Sequence, residues 1–150
     1  MKKHDWKNIS IKEFAEMISE ELRKNKISAV LVGGACVSVY SENEYLSYDL
    51  DYSTYNNVAK DIKPCLGNIG FDQTAPNRFE NRNCEFYIEF VTSPVSLGSG
   101  APVTKFNELD TGKGTITLLT PTDCVKDRLA AYYHWNDPQS LDQAILYATH

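Results

Sequence analysis

The sequence predicts a single α+β domain with an α/β start, in which helices flank a mixed β-sheet. Three observations predict this fold class. Helix and strand patterns alternate over the first half of the chain, several short strand patterns then follow one another, and two helices close the chain at about residues 121–149. A chain of 150 residues is long enough for one domain with a sizeable core.

An amphipathic helix opens the domain. Ser10 and Glu13 have the spacing of a capping box, and the apolar residues that follow recur with a helical period. Residues 27–32 form a short, partly β-branched apolar run, which predicts a buried strand. Gly33-Gly34 predicts a turn into a short helix over residues 35–40.

The remaining elements follow from alternation and from helix start and stop signals. A second strand is predicted at 50–54, and a helix from Asn56 or Asn57 to Gly67 or Gly70, although Pro64 disfavours it. We expect further strands at 71–74, 77–82, 84–91, 103–109 and 115–119, with a loop at 92–102. A helix is predicted to start at 120–123 and to break at 136–138 before the last helix.

The composition is typical of a globular protein. Apolar residues make up 42% of the chain and charged residues 23%. No run approaches the ~20 apolar residues of a membrane span, and the N-terminal lysines precede no apolar segment. These features predict a cytoplasmic protein with no membrane partner.

The charge of the chain limits its ligands. A net charge of −5 and a pI of about 5.2 argue against a broad basic surface that coats nucleic acid. An acidic protein that handles a nucleotide needs a divalent cation between the like charges. The four cysteines lack C-x-x-C spacing, so we interpret them as buried thiols and not as zinc ligands.

The central motif combines a glycine pair with two aspartates. Gly33-Gly34 closes the first strand, and backbone N–H groups at such a turn can approach a phosphate. Asp49 and Asp51 are two residues apart in the second strand, so their side chains share a face, with backbones roughly 6–7 Å apart. Paired carboxylates of this kind bind divalent cations.

A third carboxylate, Glu89, lies on the polar face of the strand predicted at 84–91. If this strand pairs with the strand that carries Asp49 and Asp51, three carboxylates converge, as two-metal phosphoryl chemistry requires. Each feature also has a simpler interpretation. The glycines suit any tight turn, and the carboxylates suit solvent-facing strand positions.

The combination resembles the polymerase-beta-like nucleotidyltransferase superfamily. The matching residues are Gly33-Gly34, Asp49-Leu50-Asp51 and Glu89, and a weaker similarity of segment 120–131 points to AbiEii-like toxin nucleotidyltransferases. The resemblance implies a lysine after the last strand, matched by Lys126, and an aspartate in the next helix, for which Asp142 is the nearest candidate. Lys126 is preferred over Arg128, which lies about 200° away around the helix, although an exposed charge would explain Lys126 equally well.

The resemblance implies an enzyme that transfers a nucleoside monophosphate from an NTP to a hydroxyl acceptor. Asp49, Asp51 and Glu89 would be catalytic and would bind Mg²⁺ or Mn²⁺, and Gly33, Gly34 and Lys126 would bind the nucleotide. The acceptor would be RNA, a protein side chain or a small molecule. The superfamily often has an arginine shortly before the first aspartate, and this chain has none. That difference motivates an alternative, a catalytically silent binding or regulatory module with a small antitoxin-type protein partner, against which the retained three carboxylates argue.

Overall fold

A computed structural model describes residues 5–41, 47–54, 59–91, 105–135 and 138–148. The helices are α1 (Ile11–Lys24), α2 (Gly34–Tyr40), α3 (Ala59–Gly67), α4 (Pro121–Trp135) and α5 (Pro138–Ala148). The strands are β1 (Ala29–Val32), β2 (Asp49–Thr54), β3 (Asp72–Ala75), β4 (Arg78–Glu80), β5 (Tyr87–Val91), β6 (Phe106–Asp110) and β7 (Thr115–Leu119).

Within these residues, the strands form one mixed sheet in the order β3-β4-β5-β2-β1-β7-β6. β2 is parallel to β5 and antiparallel to β1, and β1 is parallel to β7. Two antiparallel hairpins, β3-β4 and β6-β7, lie at the ends of the sheet. The α+β class with an α/β start is therefore confirmed.

The first helix covers the apolar face of the central strands. Ser10 and Glu13 form the predicted capping box, and Ile11, Phe14 and Ile18 are fully buried. The Tyr52 hydroxyl of β2 lies 2.8 Å from Ser19 Oγ of α1, so this face of β2 points into the core. The opposite face of β2 carries the two aspartates.

Several boundaries differ from the predicted ones. The fifth strand begins at Tyr87, because the Cys84 N–H donates to the Asn81 carbonyl in a turn that holds residues 81–84 out of the ladder. Pro64 lies inside α3, and the described part of this helix ends at Gly67 as predicted. The predicted loop at 92–102, the start of the strand at 103 and the helix start at 56 or 57 lie outside the described residues.

In the part of the chain that the structure describes, no helix combines the length and apolar character that a bilayer span requires.

Candidate active site

The register of two strands brings three carboxylates together. β2 and β5 pair in parallel with Asp51 opposite Glu89, and Asp49 precedes Asp51 by two residues on the same face. One carboxylate oxygen from each residue lies within 4.8 Å of the others. The structure thus places the three predicted site residues in one cluster.

Local structure holds this cluster in place. The side chains between the carboxylates, Leu50 and Ile88, are completely buried on the opposite face. The Ser47 hydroxyl donates to Asp49 Oδ1 at 3.3 Å, and the Tyr87 N–H donates to the Tyr48 carbonyl at 3.0 Å where β5 joins β2. Alternate burial along both strands therefore fixes which face the carboxylates occupy.

The carboxyl group of Asp51 is largely removed from water and retains a proton at neutral pH. Burial raises its pKa to about 9, and the charge of Asp49, a hydrogen bond with Asp49 and the charge of Glu89 act in the same direction. Arg128 opposes this rise only partly. At neutral pH the site therefore carries a proton that a bound cation would displace.

The predicted glycine turn contacts this carboxylate directly. Gly33 has φ +71°, a conformation that favours glycine, and a Cβ at this position would collide with Asp51 Oδ2. A Cβ on Gly34, the first residue of α2, would lie 2.5 Å from Gln143 Nε2 of α5. Close packing is thus one reason for both glycines, and their predicted contact with phosphate stays a prediction.

Arg128 of helix α4 lies near enough to Asp51 for their charges to interact, whereas Lys126 of the same helix is exposed. The Arg128 side chain is only 14% exposed and donates to Asp127, Ser140 and Gln143. Burial acts to lower the pKa of Arg128, but the charge of Asp127 and its hydrogen bond, with a smaller contribution from the charge of Asp51, raise it above the ordinary value. Lys126 is exposed and has no ion pair with another described residue. The predicted role of Lys126 in nucleotide binding stays a prediction.

The position of Arg128 could have been found from the sequence. Arg128 follows Cys124 by one helical turn, and Cys124 is completely buried. Residues four apart share a helix face, so the buried face of α4 includes Arg128. Asp142 of α5 is exposed, and the His134 side chain lies outside the described part of the structure.

A second arginine lies beside the cluster and could not have been found from the sequence. Arg78 of β4 is the register partner of Glu89. Its Nη2 and Nε donate to Glu89 Oε1 at 2.6 and 3.1 Å, and its guanidinium lies 4.3 Å from the centroid of the Tyr87 ring. The pairing of β4 with β5 depends on the long-range fold, and no spacing in the chain indicates it.

The same fold occurs in solved nucleotidyltransferase-like structures. An antigenic nucleotidyltransferase-like protein from Paracoccidioides brasiliensis superposes with a TM-score of 0.70 and 13% identity, over 93% of this chain and 75% of that one. The antibiotic-resistance factor ANT(2'')-Ia superposes with a TM-score of 0.55 and 10% identity, over 87% of this chain and 78% of that one. The fold is therefore nucleotidyltransferase-like. No protein-family model and no curated protein matches the sequence.

Proposed function

We propose that this chain is a metal-dependent nucleotidyltransferase that moves a nucleoside monophosphate from an NTP to a hydroxyl acceptor. One observation carries the proposal: Asp49, Asp51 and Glu89 converge on one face of the sheet, in a fold shared with nucleotidyltransferase-like proteins. Carboxylates this close repel one another, so their clustering does not serve stability. Such a cluster is useful when a cation binds it.

The donor set fits Mg²⁺ or Mn²⁺. Both ions prefer oxygen ligands, and Asp49, Asp51 and Glu89 supply carboxylate oxygens within 4.8 Å of one another. A bound ion would neutralise the triphosphate and polarise the acceptor hydroxyl.

In the proposed reaction, the acceptor oxygen forms a bond to the α-phosphorus and the bond to pyrophosphate breaks. The hydroxyl proton passes to Glu89, whose Oε2 accepts no hydrogen bond from the described residues. Gly33 and Gly34 would bind the β- and γ-phosphates through backbone N–H groups. Lys126 is the predicted cation for the triphosphate, and we add Arg128 because its charge acts on Asp51.

Calorimetric titration with Mn²⁺ tests the proposed site. Wild-type protein should bind Mn²⁺, and the double substitution Asp49→Asn with Asp51→Asn should abolish binding while the protein stays folded. Glu85→Gln is the matched control, because Glu85 is an exposed carboxylate just before the same strand. Equal Mn²⁺ affinity in the double variant would reject the site. If the site is supported, incubation with labelled NTPs and a cell extract would identify the acceptor class from the molecule that receives the label.

A second candidate function is favoured by a separate observation. Glu89 is already paired with Arg78, and Asp51 is already neutral, as expected for a site that binds no metal. The chain would then be a catalytically silent module with an antitoxin-type protein partner. Absence of Mn²⁺ binding in wild-type protein, together with co-purification of a small protein encoded beside it, would support this alternative.

A further inference from the structure

The carboxylate cluster has two chemically different flanks. The order β1-β2-β5-β4 places Gly33, which follows β1, on one side of Asp51 and Glu89, and places Arg78 of β4 on the other. Neighbouring strands are about 4.8 Å apart, so roughly 14 Å separates the outermost strands of this group. A substrate group bound at one flank is therefore distinct from a group bound at the other.

Arg78 is held in a defined position. Asp51, Glu89 and Arg78 are register partners across three adjacent strands, so their side chains form one row on one face of the sheet. Both hydrogen bonds of Arg78 go to the same oxygen, Oε1 of Glu89, and the guanidinium also stacks over Tyr87. Tyr87 therefore restricts the side chain and keeps its charge beside the cluster.

The ion pair between Arg78 and Glu89 is weak enough for Arg78 to take another anionic partner. The two side chains are 41% and 33% exposed, and ion pairs at such positions are weak. A cation bound at Glu89 would weaken the pairing further, because both positive charges would share one carboxylate. The guanidinium would then be available to an anion, and its planar fork matches the oxygens of a phosphate.

We propose that Arg78 binds a phosphate of the acceptor, so that the acceptor is a phosphate-bearing hydroxyl compound of the class represented by the end of an RNA chain. This inference rests on the proposed function, which assigns the triphosphate of the NTP to the glycine flank and leaves the arginine flank to the acceptor. In RNA, a ribose hydroxyl and a backbone phosphate belong to the same nucleotide, so one chain end supplies both groups.

The charge of the protein agrees with recognition of a chain end. With a net charge of −5, the protein lacks the broad basic surface that binds nucleic acid along its length. A single arginine beside the cluster suffices to orient one phosphate. A polycationic acceptor such as an aminoglycoside would instead be repelled by this guanidinium, since an amine binds to a carboxylate and not to an arginine.

The experiment measures binding of a fluorescently labelled single-stranded RNA decamer with a free 3′-hydroxyl, by anisotropy in the presence of Mn²⁺. Arg78→Gln should lower RNA affinity about tenfold and reduce the slope of log affinity against log salt by about 0.7, since one phosphate contact is lost. ATP affinity should change less than twofold. Arg82→Gln is the matched control, because Arg82 is an exposed arginine near Arg78 and should leave RNA affinity unchanged.

Four outcomes would overturn the inference. If wild-type protein does not bind the decamer, or if Arg78→Gln and wild type bind it with equal affinity, Arg78 does not bind an acceptor phosphate. A loss of ATP affinity with unchanged RNA affinity assigns the contact to the nucleotide. An aminoglycoside that binds wild-type protein and binds Arg78→Gln more tightly shows a cationic acceptor.

Two further measurements separate this inference from the proposed function and from a purely structural role. Mn²⁺ calorimetry without RNA should give equal or tighter binding in Arg78→Gln, because Glu89 loses a competing partner. If wild-type protein binds no Mn²⁺, the proposed function fails, while RNA anisotropy without Mn²⁺ still decides the role of Arg78. If Arg78→Gln unfolds, Arg78→Lys replaces it, and should bind RNA more weakly than wild type because lysine lacks the planar fork.

Discussion

The two faces of the β2-β5 strand pair have the same backbone and opposite roles. On one face, Leu50, Tyr52 and Ile88 are buried in the core, and Tyr52 contacts Ser19 of α1. On the other, Asp49, Asp51 and Glu89 form a cluster in which burial and the charges of its two neighbours oppose the ionisation of Asp51. The comparison shows that one face stabilises the fold, while the buried acid on the other lowers stability, a cost that the proposed metal site would account for.

The largest expected effect comes from the apolar face. Ile88→Ala should lower the free energy of unfolding by about 2–5 kcal/mol, because it leaves a cavity under a fully buried side chain. Glu89→Gln, one residue later on the opposite face, should leave stability unchanged or raised. Urea denaturation of both variants measures the difference. A greater loss for Glu89→Gln than for Ile88→Ala would contradict the assignment of the two faces.

Substitution of Gly33, in the turn beside the carboxylate cluster, should give the next largest loss of stability. Gly33→Ala should cost about 1–3 kcal/mol of stability for its backbone conformation alone, because φ +71° with ψ −160° is a region that only glycine readily adopts. It should also weaken Mn²⁺ binding, because the new Cβ displaces the Asp51 carboxylate. Gly112→Ala is the control, since Gly112 also has a positive φ but a Cβ there meets no atom within 4 Å. Similar Mn²⁺ affinity in both variants would exclude contact between the turn and the site.

The pH dependence of stability should reveal the buried proton of Asp51. The pKa of Asp51 is about 9 in the folded protein, against an ordinary value of 3.8. The unfolded chain therefore loses this proton near pH 4 and the folded chain near pH 9, so the metal-free protein loses stability as pH rises between these values. Asp51→Asn has no carboxyl group to titrate at this position, so it does not lose stability in this way. The difference in free energy of unfolding between Asp51→Asn and wild type should therefore grow from pH 5 to pH 9 in favour of the variant. Denaturation in EDTA at several pH values tests this, and parallel curves would reject the raised pKa.

The smallest effect is expected from substitutions on α4, where Arg128 and Lys126 lie on different sides of the helix and should contribute unequally to NTP binding. Arg128→Ala should weaken NTP binding more than Lys126→Ala, because the charge of Arg128 acts on Asp51 and Lys126 is exposed. Loss of Lys126 should reduce affinity about twofold at low salt and less at high salt, since exposed charges are screened. NTP titrations at two salt concentrations compare the variants. A larger and salt-independent loss in Lys126→Ala would favour the lysine.

Alternation and spacing were sufficient to predict much of this fold. The capping box of α1, the limits of β7 and the shared face of Asp49 and Asp51 follow from contacts within a few residues. Those contacts depend on backbone geometry that every helix or strand repeats. The late start of β5 was not predictable in this way, because a turn at residues 81–84 overrides an alternating pattern.

The sequence by itself therefore determined that carboxylates would lie on one face of a central strand, and that a glycine turn would precede them. Only the tertiary structure decided that β5 lies beside β2 with Glu89 opposite Asp51, and that β4 brings Arg78 to Glu89. The physical reason is the range of the interactions. Local geometry sets the face of a side chain, whereas its neighbours across the sheet depend on how distant segments pack together.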